Sequence, residues 1–265
     1  MTSGIISSIR RKQIAQLIAG GKRVDGRGPT DYRPIQIETG IIEKAEGSAR
    51  VRLGKTEVLV GVKIGLGEPF SDRPNDGVLT VNAEFVPLAS PEFEAGPPKE
   101  EAVELARVVD RGIRESKAID LEALCIVPGK TVFVVFVDVY VLNHDGNLID
   151  ASALSALGAL VTAKVLKYEL KDGEVEIKPG FTELPLKNLP VAVTFADIGG
   201  RLVVDPWIDE EKVMDSRLTM SFGKEGKICA IQKGGTGTLT PQQIVEAANM
   251  AREKAEELRK FVEKS

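Results

Sequence analysis

Histidine and cysteine are almost missing from this 265-residue chain, which holds one His and two Cys. A single imidazole, His144, cannot build a His-rich metal centre, and between Asn143 and Asp145-Gly146 it reads as a turn residue. Cys125 and Cys229 stand in apolar, strand-like surroundings, so we expect buried free thiols in a reducing compartment rather than a disulfide framework. Long apolar runs are missing too. The longest are broken by Asp138 or Gly158, and no membrane span is expected. The stretch Ile5–Ile18 carries Arg10, Arg11 and Lys12 in its middle, unlike a secretory signal, so the chain is expected in the cytoplasm. There is no surplus of positive charge. The net charge is −4, so any contact with nucleic acid must be a local patch rather than a global field.

What is present centres on Thr131–Val165. Eleven mostly β-branched and aromatic residues run to Val141 without Pro or Gly, the pattern of a fully buried strand. Asn143–Asn147 is a turn, and a helix follows with Asp150 as the expected N-cap. Its early Ala, Ser, Leu and Gly residues suit a helix pressed flat on a sheet. Such strand–turn–helix junctions often bind phosphate in α/β folds, because free helix N–H groups point at the anion.

Around this centre the chain alternates strands and helices. Residues 4–19 read as a helix, with Ile5, Ile6, Ile9, Ile14, Leu17 and Ile18 on one apolar side and Gly20-Gly21 ending it. A charged turn-rich loop follows, Arg23-Val24-Asp25-Gly26-Arg27. Tyr32–Ile42 looks like a strand, Ser48–Leu53 and Glu57–Ile64 like a hairpin around Gly54-Lys55, and Val78–Val86 like a further strand. Pro98–Lys117 reads as a helix with a core stripe of Ala102, Leu105, Val108, Val109 and Ile113. Arg107, Arg111 and Arg114 follow one another at i, i+4 and i+7 and so share a face. Two readings of that row stand. It is a solvated face paired with nearby carboxylates, or a row of guanidinium forks facing phosphates.

Glu174–Ile177 reads as a short strand, with Val175 and Ile177 on its apolar side, and Gly180–Asn188 as a loop between two halves. Pro190–Ala196 with Arg201–Val204, and Leu218–Phe222 with Lys227–Ile231, read as two hairpins. An acidic segment, Asp205–Asp215, lies between them. The last helix starts at a capping box: Thr240 as N-cap, Pro241 at N1 and Gln243 at N3. It buries Ile244, Ala247, Ala251, Leu258 and Val262.

The order of these motifs resembles the RNase PH-like proteins. The resemblance rests on Arg23-Val24-Asp25-Gly26-Arg27 followed by Arg33-Pro34-Ile35, on the helix ELARVVDRGIRESKAIDLEAL from Glu104, on VFVVFVDVYVLNHDGNLIDASALSAL from Val132, and on Val204-Asp205-Pro206 through Met220. It covers about Ile14 to Phe261 and, in detail, is similar to the non-catalytic RNase PH-like ring subunits of archaeal exosomes. It implies an α+β fold of two sheet-plus-helix halves, the first of the ribosomal protein S5 domain 2-like kind. The expected divisions are a helix and charged loop over 1–30, a first domain over 31–180 and a second over 190–265.

Active members carry Asp-Gly-Gly-Ser/Thr-Arg-Thr-Ala at the junction, where the hydroxyl, backbone amides and arginines hold the attacking phosphate. Here the hydroxyl position is Leu148, the Arg position is Ile149, and the next is Asp150, an anion at the helix start. The resemblance therefore implies a silent subunit with no catalytic residue, no metal and no cofactor. Active members also use two aspartates six apart. Asp209 and Asp215 keep that spacing, or Glu211 takes the first place if the alignment slips by two. The implied partners are a catalytic RNase PH-like subunit, paired three times into a six-membered ring, RNA-binding cap subunits, and single-stranded RNA; no membrane is involved. Arg107 and Arg111, with Arg114 beside them, become the expected RNA contacts, and Arg73 is a further candidate in its long loop. Two other readings are an active phosphate-dependent 3′–5′ exoribonuclease, against which residues 146–150 argue, and a stand-alone α/β binding module.

Overall fold

Gly54 and Lys55 leave two residues between Leu53 and Thr56, and Gly54 takes φ +61°, so the expected hairpin closes there on a tight turn. The computed structural model describes residues 2–171 and 174–264, with side chains except at 2–9 and 174. The first half contains α1 (Thr2–Ala19), β1 (Ile35–Thr39), β2 (Gly47–Leu53), β3 (Thr56–Gly67), β4 (Val78–Phe85), α2 (Glu100–Glu115), β5 (Cys125–Val127), β6 (Thr131–Asn143) and α3 (Leu148–Val161). A hairpin, β7 (Lys164–Lys171) and β8 (Glu174–Glu183), leads to β9 (Val191–Ile198), β10 (Arg201–Val204), α4 (Ile208–Glu211), β11 (Ser216–Phe222), β12 (Ile228–Gly235) and α5 (Pro241–Glu263).

The first sheet has the order β1-β2-β3-β6-β4, with β5 also on β6. β4 runs parallel to β6 and the other pairs are antiparallel. β6 is thus central, as its composition suggests, but it is not buried on both faces. Val135, Val137, Val139 and Val141 are sealed, whereas Phe136 and Tyr140 on the other face are 39% and 37% exposed. Helices cover only one side of this sheet, so the strand alternates beneath an apolar sequence.

α3 lies on β2 and β3 through its small residues. A Cβ on Gly47 would come within 2.2 Å of the Ala159 carbonyl oxygen, so the helix sits closer to β2 than any side chain there allows. Its other side meets β9, while α2 bridges β4 to β12 and α5 packs on β9 and β11. The second sheet, β10-β9-β11-β12, is wholly antiparallel, and β9 is buried at every position. Helices therefore form a layer between two sheets, and one apolar core runs from Val137 through Leu157 to Phe195 and Met220.

Several expectations need correcting. β7 is missed by the sequence reading, and β8 continues through Gly180 to Glu183, where a loop is expected. This hairpin stands apart as a two-stranded sheet with most β7 side chains exposed, so no apolar alternation marks it. Ile177 is exposed for the same reason. Cys125 and Cys229 are free thiols but only partly buried. On α1, Ile14 and Ile18 are buried and Leu17 is exposed, while Ile5, Ile6 and Ile9 lie outside the described side chains. The α5 capping box forms as expected, but Ile244 is exposed. Gln243 anchors that first turn instead, through Asp197 and the Gly200 carbonyl. No helix among the described residues is long and apolar enough to cross a membrane.

Candidate functional site: an acid-lined cleft and an arginine face

At the β6–α3 junction the N-cap is Asn147, not Asp150. Asn147 adopts φ 52° and ψ 50°, a left-handed conformation that Asn tolerates, and its side-chain oxygen accepts from the Asp150 amide. Asp150 lies in the first helical turn with its side chain driven into the core. Its carboxylate accepts from the Tyr32 hydroxyl (2.7 Å), Asn147 Nδ2 (2.8 Å), and the Thr194 amide (3.1 Å) and hydroxyl (2.7 Å). Burial pushes its pKa up to about 6 against the pull of those hydrogen bonds. The anion expected to face the helix start is therefore a tie between the two halves, because Thr194 belongs to β9.

Another carboxylate takes that place. Glu211, at the end of α4, accepts from the Asn147 backbone amide through Oε1 at 2.8 Å. It lines a cleft of about 270 Å³ together with Phe85, Phe93, His144, Leu148 and Ile149. Burial pushes its pKa up to about 7, opposed by the Asn147 amide and by the charges of Arg217 and Arg33. His144 stacks on Phe93, ring centroids 5.5 Å apart, and burial lowers its pKa. The cleft's cations are engaged: Arg217 with Glu104 (2.5 Å) and Lys212 with Glu92 (3.0 Å). No hydroxyl side chain is among the lining residues.

The acidic segment is brought over this junction by arginines of the opening loop. Arg23 donates Nε and Nη2 to Glu210 and reaches the Val204 and Asp205 carbonyls; its side chain and that of Glu210 are 0% and 1% exposed. Arg33 donates Nε and Nη2 to the two oxygens of Asp205 and also holds the Asp145 and Gly146 carbonyls. Arg27 adds a further donor to Asp205 at 2.7 Å. Burial works to raise the Asp205 pKa, but the hydrogen bonds and charge of Arg33 hold it below the ordinary value. Gly146 lets this contact form: at φ +90° it has no side chain, and a Cβ would meet the Pro206 carbonyl oxygen and the Ile208 amide at 2.6 Å.

Asp209 and Asp215 lie elsewhere. Asp209 pairs with Arg10 of α1, and Asp215 pairs with Arg11 and accepts from the Gly199 amide. Neither lines the cleft; of the candidates in that segment only Glu211 does. Among the described residues no cluster of three or more His, Cys, Asp or Glu is placed to hold a metal ion.

The arginine row on α2 divides. Arg114 donates Nε and Nη2 to both oxygens of Asp110 (2.9 and 2.7 Å) and Nη2 to the Leu79 carbonyl, which leaves it half-buried. It faces a different hollow, shared with Arg73 and Lys117. Arg107 and Arg111 are exposed and line one groove with Pro98, Val103, Val108 and Gln232. Among the described residues Arg107 makes no ion pair or hydrogen bond, and Arg111 meets only the Gln232 amide, whose oxygen accepts from it in the orientation that the guanidinium donors demand. The groove adjoins the cleft at Glu104, which lines both.

The 3′ exoribonuclease family matches the chain in two parts, its domain 1 over residues 31–165 and its domain 2 over residues 188–254. The chain is 57% identical over 260 residues to the exosome complex component Rrp42 of Pyrococcus horikoshii, covering 97% of this chain and 95% of that one. It is 49% identical over 263 residues to the Rrp42 of Methanopyrus kandleri, covering 99% and 98%. Among solved structures it is similar to a chain of the Archaeoglobus fulgidus exosome with RNA bound to the active site, at 44% identity and a TM-score of 0.88, covering 97% and 98%.

Proposed function

We propose that this chain, which belongs to the 3′ exoribonuclease family and has its RNase PH-like fold, is a non-catalytic, RNA-contacting subunit of an exosome ring. One observation carries the silent reading. The helix-start amide of Asn147 is already bonded to the chain's own Glu211, beside Leu148 and Ile149. An incoming phosphate would meet a carboxylate in its seat and find no hydroxyl to orient it. The Glu211 side chain occupies the amide that would receive the anion, and in its ionised form it also repels that anion. The acidic pair that would support a metal or general acid is bound to the arginines of α1.

In this reading the chain pairs with a catalytic RNase PH-like homologue, and three pairs close a hexameric ring that receives RNA-binding cap subunits. It acts in the cytoplasm. Residues 31–180 and 190–265 serve as its two domains, behind the helix and loop of 1–30. Arg107 and Arg111 offer guanidinium groups about one helical turn apart to the phosphates of single-stranded RNA as it passes to the partner's active site.

The test takes the purified chain, its catalytic homologue and their complex, each with inorganic phosphate and single-stranded RNA. The chain alone should release no nucleoside diphosphates, and the complex should release them. Arg107→Glu with Arg111→Glu should leave the ring assembled, weaken RNA binding for all sequences and slow degradation. Diphosphate release by the chain alone, lost in Asp215→Asn, would instead establish an active enzyme.

A further inference from the structure

Arg111 and its neighbours are held by partners of different charge. Arg114 gives two donors to the Asp110 carboxylate, and Arg217 on β11 gives one to Glu104. Arg111 turns Nε and Nη1 toward the Gln232 side-chain amide on β12; with that amide oriented as two facing donors demand, its oxygen accepts from both, at 3.1 and 3.0 Å. A carboxylate orients a guanidinium and also cancels its charge. An amide oxygen orients it through a dipole and leaves the charge whole. Two donors on one oxygen also fix the plane of the fork. That leaves Nη2 and the second Nη1 hydrogen without a protein partner among the described residues.

The position of Gln232 gives this contact a second consequence. Arg111 stands on a helix of the first half and Gln232 on a strand of the second, so the guanidinium is fixed relative to both. An arginine on an open helix face otherwise samples many rotamers and loses that freedom on binding. We infer that Gln232 is a positioning residue, which holds Arg111 as an oriented and fully charged clamp for an RNA phosphate in the groove beside Arg107. This rests on the reading of Arg107 and Arg111 as RNA contacts and deepens it. The specific content is that a neutral acceptor at 232 is required.

The test uses the assembled ring, chain plus catalytic homologue, and a single-stranded homopolymer RNA, with affinity measured over a series of salt concentrations. Arg111→Gln, the reference, should weaken binding and reduce the salt slope by about 0.7, the contribution of one single-strand phosphate. Gln232→Glu should reproduce both effects, because the new carboxylate neutralises Arg111. Gln232→Leu should weaken binding by about two- to fivefold through lost preorganisation, with the slope unchanged because the charge remains. All three rings should assemble as the parent does in a size measurement. If Arg111→Gln acts and Gln232→Glu does not, the inference is overturned while the RNA-contact reading stands. Equal loss of slope in Gln232→Leu and Gln232→Glu would overturn it too, since position 232 would then be supporting β12 itself. No effect of Arg111→Gln would remove the underlying reading and the inference with it.

Discussion

Replacing Glu210 with Ala should be among the most damaging single changes in this chain, although Glu210 touches no substrate in the proposed function. Its carboxylate is the only ion-pair partner of Arg23 among the described residues, and neither side chain is measurably open to water, at 1% and 0% exposure. Removing it strands a guanidinium that keeps the Val204 and Asp205 carbonyls and, at 3.4 Å, the Asp31 carbonyl, all of them uncharged. Breaking a buried pair from one side costs about 3–5 kcal/mol, because the remaining charge stays desolvated. The Trp207 amide also loses its acceptor on Glu210, at 2.8 Å, which uncaps α4. At about 2–4 °C per kcal/mol for a chain of this order of size, the midpoint should fall by roughly 6–20 °C. Trp207 is the sole tryptophan, three residues away, so its fluorescence reports the site directly in thermal or denaturant unfolding. The double variant Arg23→Met with Glu210→Leu should recover part of the loss, since an apolar pair leaves no stranded charge, although the Trp207 amide and the Val204 and Asp205 carbonyls stay without these partners. A loss below about 1 kcal/mol in Glu210→Ala, on the scale of an exposed pair, would refute the argument that the opening loop is a buried brace.

Glu211→Gln should change the pH dependence of stability. The folded pKa of Glu211 is raised from 4.5 to about 7, so the native state binds a proton that the unfolded state has released. The parent should therefore lose stability as pH rises from about 4.5 to 7 and level off above, and the variant should lose less over that window; parallel profiles from denaturant titrations would contradict the buried placement of this carboxylate. Arg114→Gln should leave the salt slope of RNA binding by the ring unchanged, because its fork is already spent on Asp110. A slope reduced as in Arg111→Gln would show that the Arg114–Asp110 pair opens to RNA.

Local features of the fold are legible in the sequence. The Thr240–Gln243 capping box and the Gly54-Lys55 hairpin each depend on residues within three positions of one another. The β6 strand announces itself by composition, although its open face does not, because exposure depends on which side the helices take. The misplaced N-cap has a physical cause. Asn147 and Asp150 are both good capping residues three apart, and the choice falls to Asn147 because it accepts the left-handed conformation that the turn requires. The site is less legible. Arg23 with Glu210 and Arg33 with Asp205 are separated by 187 and 172 residues, and no periodicity links such positions. Glu211 is within reach of the sequence only as the slipped alternative to Asp209. Its contact with the Asn147 amide settles which of the two enters the cleft.

The distribution of charge supports the proposal that this scaffold is closed for chemistry and open for RNA. Carboxylates around the junction are numerous, and a bare acidic segment there would attract a metal ion or supply a general acid. Here the acidic segment is answered from within the chain: Asp205 by Arg33 and Arg27, Glu210 by Arg23, Asp209 by Arg10, and Asp215 by Arg11. Glu211, left without an ion pair, is bonded to a backbone amide instead. These pairs consume the arginines of α1 and the opening loop, which therefore cannot serve RNA without uncovering the segment. On α2 the allocation is reversed. Asp110 takes Arg114, Glu104 takes Arg217 from β11, and Arg107 and Arg111 remain with no carboxylate partner among the described residues. In the proposed function, phosphate binding is thus moved from a helix N-terminus, where it would be reactive, to a helix face, where it can only hold and guide. An uncommitted guanidinium on a surface is stable in water and costs little until a polyanion arrives, whereas an uncommitted carboxylate in a cleft carries a desolvation cost at once.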